Sequence, residues 1–63
     1  MKTRYDPDVD ALYIRLTDTP IDSSQEVAPN VVLDFDAEGR VVGLEILHAS
    51  RTAAPGLLPH AAE

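Results

Sequence analysis

The sequence contains no cysteine, no tryptophan and only two histidines. The lack of cysteine excludes disulfides, zinc–thiolate sites and thiol chemistry. Two separated histidines also fall short of an ordinary structural zinc site. A chain of 63 residues buries only about 60% of its unfolded surface, so a single core is marginally stable. With disulfides and structural zinc excluded, association with another chain is the remaining way to stabilise so small a core. We therefore expect a homo-oligomer, most simply a dimer.

Long apolar runs are also missing. The longest run of the aliphatic residues Val, Ile and Leu is Val31–Leu33, far short of the roughly 20 residues that a membrane helix requires. The positively charged start, Met1–Arg4, is followed by Tyr5–Pro7 rather than by the apolar region of a signal peptide. We therefore expect a cytoplasmic protein with no membrane association.

Positive charge is scarce, and the formal net charge is −6. Nine acids and a single base, Arg15, lie between residues 5 and 38, which gives that stretch a charge of −8. Such a surface repels phosphate backbones and argues against direct nucleic-acid binding. It suits a basic protein partner, although solubility alone also explains it. The alternating acids Asp6, Asp8 and Asp10 are the candidate partner-binding residues, with turn capping as the simpler role and magnesium or calcium ligation as another.

The first half of the chain predicts two strands. Lys2–Asp6 is the first strand, and a tight turn follows at Pro7–Asp10. The next segment fits helical spacing as well as strand alternation, but it is short for a helix, and Tyr13 followed by Ile14 favours a strand over Ala11–Leu16. Residues 17–24 have loop composition.

Strands dominate the second half as well. Gln25–Ala28 is typical of a short edge strand. Val31–Asp36 and Val41–Leu47 alternate around a turn in which Gly39 takes the left-handed position. A short helical turn is expected at Ala49–Arg51.

These segments predict a mainly β fold, an antiparallel meander of four to five short strands. The domain spans 1–51, and a flexible or short-helical tail spans 52–63, with Leu57 and Leu58 as its only sizeable apolar side chains. One face of the sheet is almost wholly apolar: Leu12, Ile14, Leu16, Val31, Leu33, Phe35, Val42, Leu44 and Ile46. No predicted helix covers this face, so we expect a homodimer to bury it. The dimer interface would then hold Leu12, Ile14, Leu33, Phe35, Leu44 and Ile46.

The other face of the sheet brings together Tyr13, Arg15, Asp34 and Glu45. Two carboxylates beside an arginine and a tyrosine can do acid–base work when burial separates their pKa values. An exposed cross-strand ion pair is the simpler interpretation. An enzyme site between subunits is therefore the third hypothesis. No nucleophile accompanies either histidine, and phosphate-loop, dinucleotide and metalloprotease motifs are absent. We expect no catalytic residue and no cofactor.

A calcium-loop pattern overlaps the predicted hairpin. Asp34, Asp36, Glu38 and Glu45, with Gly39 between them, match the acidic and glycine positions of an EF-hand loop. The flanking segments alternate like strands, whereas an EF-hand requires helices. A β-turn with solvated acids is the simpler interpretation, and a calcium- or magnesium-binding hairpin is the alternative function.

Two motifs identify a family. The first is Y-D-x-x-x-D-x-L-Y-I-x-L over residues 5–16, and the second is V-x-L-D-x-D-x-x-G-x-V-V-G-L-E-I-L-x-A-S over residues 31–50. Together they resemble the bacterial domain-of-unknown-function family numbered 2283, over about residues 4–51. The resemblance implies a small β-rich cytosolic domain without catalytic residues to transfer. It also implies gene neighbours similar to small toxins, and hence an antitoxin-like role for this chain as the acidic partner of a basic protein.

Overall fold

The fold is one antiparallel sheet. A computed structural model describes residues 1–54 and Gly56. The elements are β1 (Lys2–Asp6), β2 (Ala11–Arg15), β3 (Ser23–Ala28), β4 (Val31–Phe35), β5 (Val41–Leu47) and the short helix α1 (Ala49–Thr52). All five strands join a single sheet, which confirms the mainly β prediction. Most of the predicted tail, including Leu57 and Leu58, lies outside the described residues. Across the described ranges, no helix is long and apolar enough to cross a membrane.

The strand order is β1-β2-β5-β4-β3, so the sheet is not the simple meander expected from the sequence. β1 and β2 form one hairpin and β3 to β5 form a meander, but β2 pairs with β5. The connection over residues 16–22 therefore travels from β2 to the far edge of the sheet. The apolar matches explain this pairing, because Leu12 lies opposite Ile46 and Ile14 lies opposite Leu44.

Two turns rely on residues that tolerate the left-handed backbone region. Asp10 ends the first turn at φ 55°, and Asn30 makes the reversal between β3 and β4 at φ 66°. Asp and Asn tolerate this region better than other non-glycine residues. Gly39 takes it at φ 80° in the turn before β5, as the sequence predicted.

The apolar side chains align in rows across the central strands. Leu12, Ile46 and Val31 are direct neighbours in one row, and Ile14, Leu44 and Leu33 in the next. Leu12 and Val42 are the most deeply buried, at 0% and 2% exposure. Leu16 belongs to the predicted apolar face, but β2 ends at Arg15 and Leu16 is 38% exposed.

The homodimer stays a prediction, and its molar mass in solution tests it. Val31, Leu33 and Phe35 are only partly buried within one chain, so a second copy would remove apolar surface from water. Sedimentation equilibrium should give twice the chain mass of 6.8 kDa. Leu33→Lys should shift the mass towards the monomer, while Val9→Lys, at a position 62% exposed in the first turn, should not. A monomer mass at every concentration would contradict the dimer.

Candidate functional site

A cleft of about 340 Å³ lies beside the second face of the sheet, whose side chains alternate along each strand with those of the apolar rows. Its volume lies at the lower end of the range for small-molecule sites. The residues around it are Lys2, Arg4, Tyr13, Ile14, Arg15, Ile21, Asp34, Leu44 and Glu45. The four residues predicted for this face, Tyr13, Arg15, Asp34 and Glu45, all line the cleft.

The strand registers arrange the charged residues in two rows. One row runs Lys2, Arg15, Gly43, Asp34, and the other runs Arg4, Tyr13, Glu45. Gly43 lies between Arg15 and Asp34 in the first row. A Cβ atom there would lie 3.0 Å from the Ile14 carbonyl oxygen and 3.4 Å from both Arg15 Cδ and Asp34 Oδ2. The side chains of this base and this acid therefore approach each other closely over the glycine backbone.

The connection over residues 16–22, which crosses from β2 to β3 at the far edge of the sheet, borders the cleft. Arg15 holds it in place, because Nε donates to the Thr17 carbonyl at 3.1 Å and Nη2 donates to the Thr19 carbonyl at 2.7 Å. Farther along, Ile21 lines the cleft with 42% of its surface exposed. The connection then joins the sheet where the Asp22 N–H donates to the Phe35 carbonyl at 2.7 Å.

Three of the five basic side chains of the protein gather at this cleft. The guanidinium carbon of Arg4 lies 4.8 Å from the centre of the Tyr13 ring, which is cation–π distance. Within the part of the chain that the structure describes, both ion pairs belong to Arg40. Lys2, Arg4 and Arg15 therefore have no carboxylate partner there. The cross-strand ion pair expected for Arg15 does not form, and two of its five guanidinium N–H groups donate to backbone carbonyls instead.

Two carboxyl groups line the opposite side of the cleft. Asp34 is 3% exposed, and its Oδ1 accepts a hydrogen bond from Ser24 Oγ at 2.6 Å. Glu45 is partly buried. Burial raises the pKa of Glu45 above its ordinary value, and the adjacent Asp34 carboxylate raises that pKa further by hydrogen bonding and repulsion.

Glu45→Gln should raise the thermal midpoint at neutral pH by a few degrees. A raised pKa means that the folded state disfavours ionised Glu45 more than the unfolded state does, so this cost applies fully above the folded pKa. Well below the ordinary value of 4.5, the group is protonated in both states and the difference from wild type should vanish. Melting curves across the acid range test this. The exposed Glu26→Gln is the matched control, and a gain that persisted at low pH would contradict the explanation.

The calcium-loop residues separate into two pairs. Asp36 is 5% exposed and accepts from the backbone N–H groups of Glu38 and Arg40 at 2.9 and 2.8 Å. Glu38 and Asp36 both pair with Arg40, whereas Asp34 and Glu45 line the cleft. Among the described residues, no three histidine, aspartate or glutamate side chains are grouped to hold a metal ion. The calcium or magnesium alternative stays a prediction without a ligand cluster to support it.

The acidic trio forms local contacts. Asp6 Oδ1 accepts from the Asp8 N–H at 3.0 Å. Asp10 accepts from the Tyr5 hydroxyl at 2.6 Å and from the Ser50 N–H and Oγ at 3.0 and 2.6 Å. Asp10 thus ties β1 to α1, and Asp8 is the most exposed of the three. Their assignment to a partner surface stays a prediction.

Removing the Asp10 carboxylate should lower the thermal midpoint. The Ser50 and Tyr5 hydrogen bonds lower the pKa of Asp10, so its contribution is complete above the ordinary value of 3.8 and is lost as the pH falls through the folded value. Asp10→Asn keeps one acceptor and the left-handed backbone, and should cost less than Asp10→Ala. Thermal melts check this order, with Asp8→Ala as the control. Equal midpoints for Asp10→Ala and Asp8→Ala would refute the contribution of Asp10.

Five residues of the cleft were missed from the sequence: Lys2, Arg4 and Ile21, and also Ile14 and Leu44, which were predicted for the apolar face. Lys2 and Arg4 alternate with Thr3 and Tyr5 in β1, and this alternation was the signal that places both bases beside Arg15 and Tyr13. Ile21 gave no signal, because a loop residue reaches the cleft only through the crossover.

The chain belongs to the family described as protein of unknown function (DUF2283), whose family model matches residues 2–50. This match confirms the resemblance seen in the two motifs and includes every residue that lines the cleft. No match was found among curated proteins or among solved structures.

Proposed function

We propose that the protein is a small binding module that holds an acidic small molecule in the cleft. The observation that carries this proposal is the gathering of Lys2, Arg4 and Arg15 without a carboxylate partner in the described residues. A protein with a net charge of −6 repels anions at long range. An anion site in such a protein requires local cations, and three of the five are here.

The position of Arg15 also supports anion binding. Its two hydrogen bonds to carbonyl oxygens at residues 17 and 19 fix the guanidinium beside the cleft. A pre-positioned guanidinium loses less conformational entropy when it binds a carboxylate or phosphate. Arg4 is positioned by a different contact, a cation–π contact with the Tyr13 ring.

A pair of nearly isosteric probes tests the proposal. Hexanoate and hexanamide have the same alkyl chain, and only hexanoate is charged. In an NMR titration of the ¹⁵N-labelled protein, hexanoate should bind about tenfold more tightly than hexanamide, since hydrogen bonds to charged groups are the stronger ones. The largest shifts should fall on the amides of Lys2, Arg4 and Tyr13. Equal affinities for the two probes would overturn the proposal.

A second candidate function is the capture of a basic protein, as in the antitoxin-like role. The observation that favours it is that Asp8, Asp18 and Asp22 are exposed and have no ion-pair partner within the described ranges. Exposed charges of one sign speed association with an oppositely charged partner.

Affinity capture from the native host tests this second function. The wild-type chain should retain a basic protein that moderate salt releases. The triple variant Asp8→Asn, Asp18→Asn, Asp22→Asn should lose it. Undiminished capture by the triple variant would show that these acids do not form the partner surface.

A further inference from the structure

We infer that the cleft has two poles of opposite charge and therefore takes a ligand with an acid at one end and an amine at the other. This inference rests on the proposed function, in which Lys2, Arg4 and Arg15 bind the acid. It adds a second role, in which Asp34 and Glu45 bind the amine as an ammonium ion.

The order of the strands separates the two poles. The bases lie on β1 and β2, while Glu45 lies on β5 and Asp34 on β4. Adjacent strands are about 4.8 Å apart, so the poles are separated by one to three strand spacings, or about 5–15 Å. Over Gly43 they come close together, since a Cβ atom placed there would lie 3.4 Å from both Arg15 Cδ and Asp34 Oδ2.

Both carboxyl groups have acceptor capacity left for an ammonium ion. Ser24 Oγ donates to Oδ1 of Asp34. A carboxylate has about four lone-pair sites, so Asp34 can still accept from an ammonium ion when Glu45 is ionised. Neither Asp34 nor Glu45 has a basic partner at ion-pair distance in that part of the chain. The protein therefore places two neighbouring acids beside three bases without pairing them.

The surroundings of Glu45 support an ammonium position between the two acids. The strand registers place Glu45 between Tyr13 on β2 and Val32 on β4, with Arg15 and Asp34 diagonally adjacent. Arg4 on β1 and Glu26 on β3 lie one strand farther out in the same row. The raised pKa of Glu45 reflects its burial and a hydrogen bond that its protonated form donates to Asp34. An ammonium donor can replace that proton and relieve the repulsion between the two carboxylates.

The charge separation indicates the ligand class. Lys2 and Arg4 on β1 lie three strand spacings from Asp34 on β4, which an ω-amino acid or a short peptide with free termini spans and an α-amino acid does not. A zwitterion of this kind also adds no net charge to the cleft. We therefore use 6-aminohexanoate as the probe, with hexanoate and hexylamine as matched ligands that each carry one of its two charged ends.

The experiment compares the three probes by NMR titration of the full chain at neutral pH. The inference predicts that 6-aminohexanoate binds about tenfold more tightly than hexanoate, with hexylamine weakest. Glu45→Gln should remove the advantage of 6-aminohexanoate and leave hexanoate binding in place. Glu26→Gln, which alters an exposed acid outside the cleft, should keep the advantage.

The outcomes separate the two proposals. Equal binding of hexanoate and 6-aminohexanoate would overturn the amine pole and leave the anion site standing. No binding of either would overturn the proposed function itself. A retained advantage in Glu45→Gln would overturn the role of Glu45. The expected stability of this variant at neutral pH ensures that lost binding is not caused by unfolding, and its amide spectrum verifies the fold.

Discussion

Leu12→Ala is expected to unfold a large fraction of the protein at room temperature. Leu12 is 0% exposed and lies on β2 between Tyr5 of β1 and Ile46 of β5. Replacing a buried leucine by alanine costs about 2–5 kcal/mol. A single domain of 63 residues has a free energy of unfolding of roughly 3–9 kcal/mol, so the cost approaches the whole stability.

Urea unfolding followed by circular dichroism measures this effect. The midpoint for Leu12→Ala should fall far below that of wild type, with the native baseline shortened or lost. Val9→Ala, at a position 62% exposed, should leave the midpoint unchanged. A midpoint for Leu12→Ala within error of wild type would show that Leu12 does not anchor the core.

Arg15→Gln is expected to weaken hexanoate binding by at least about tenfold. It removes the guanidinium that is fixed beside the cleft and keeps a polar, uncharged side chain. Arg51→Gln changes the net charge by the same amount on α1, which lies outside the cleft. A difference between the two variants therefore measures the local contact rather than the overall charge.

A second variant separates binding from loop positioning. Arg15 also holds the connection at Thr17 and Thr19, so its loss alters the border of the cleft as well. Arg4→Gln leaves those hydrogen bonds intact and should still reduce hexanoate affinity. NMR titration compares the three variants. Equal affinities for Arg4→Gln, Arg15→Gln and Arg51→Gln would contradict a cationic pole.

Local patterns in the sequence predicted the strands well, because each strand depends on alternation within a few residues. Lys2–Asp6 and Val41–Leu47 have the bounds that were predicted, and the turn at Gly39 has the expected positive φ. The prediction erred in the pairing order. The partner of β2 depends on contacts between residues 11–15 and 43–47, and such distant contacts leave no signal in a local pattern.

The candidate site was predicted only in part, because local alternation assigns a residue to a face of the sheet but does not reveal contacts between distant segments. Alternation placed Tyr13 and Arg15 on one face, and Asp34 and Glu45 on the same face of neighbouring strands. It did not reveal the crossover that brings Ile21 to the cleft. It also did not reveal that Arg15 would donate to carbonyl oxygens of the connection, or that the two acids would have no ion-pair partner within the described residues.

The acidic composition directed attention to Asp6, Asp8 and Asp10, which alternate around a turn near the start of the chain. The structure shows Asp10 bonded to Tyr5 and Ser50. In the folded protein, the charges that are grouped at one site are instead the bases, since three of the five lie at the cleft. Composition counts charges but does not place them, and the registers of β1, β2 and β5 were needed to bring the bases together.

A crystal structure of the protein with bound hexanoate tests the central claim most directly. The account predicts the carboxylate of hexanoate within hydrogen-bond distance of the guanidinium groups of Arg4 or Arg15. Hexanoate bound by its alkyl chain on the apolar rows around Leu33 and Ile46, with its carboxylate in solvent, would contradict it.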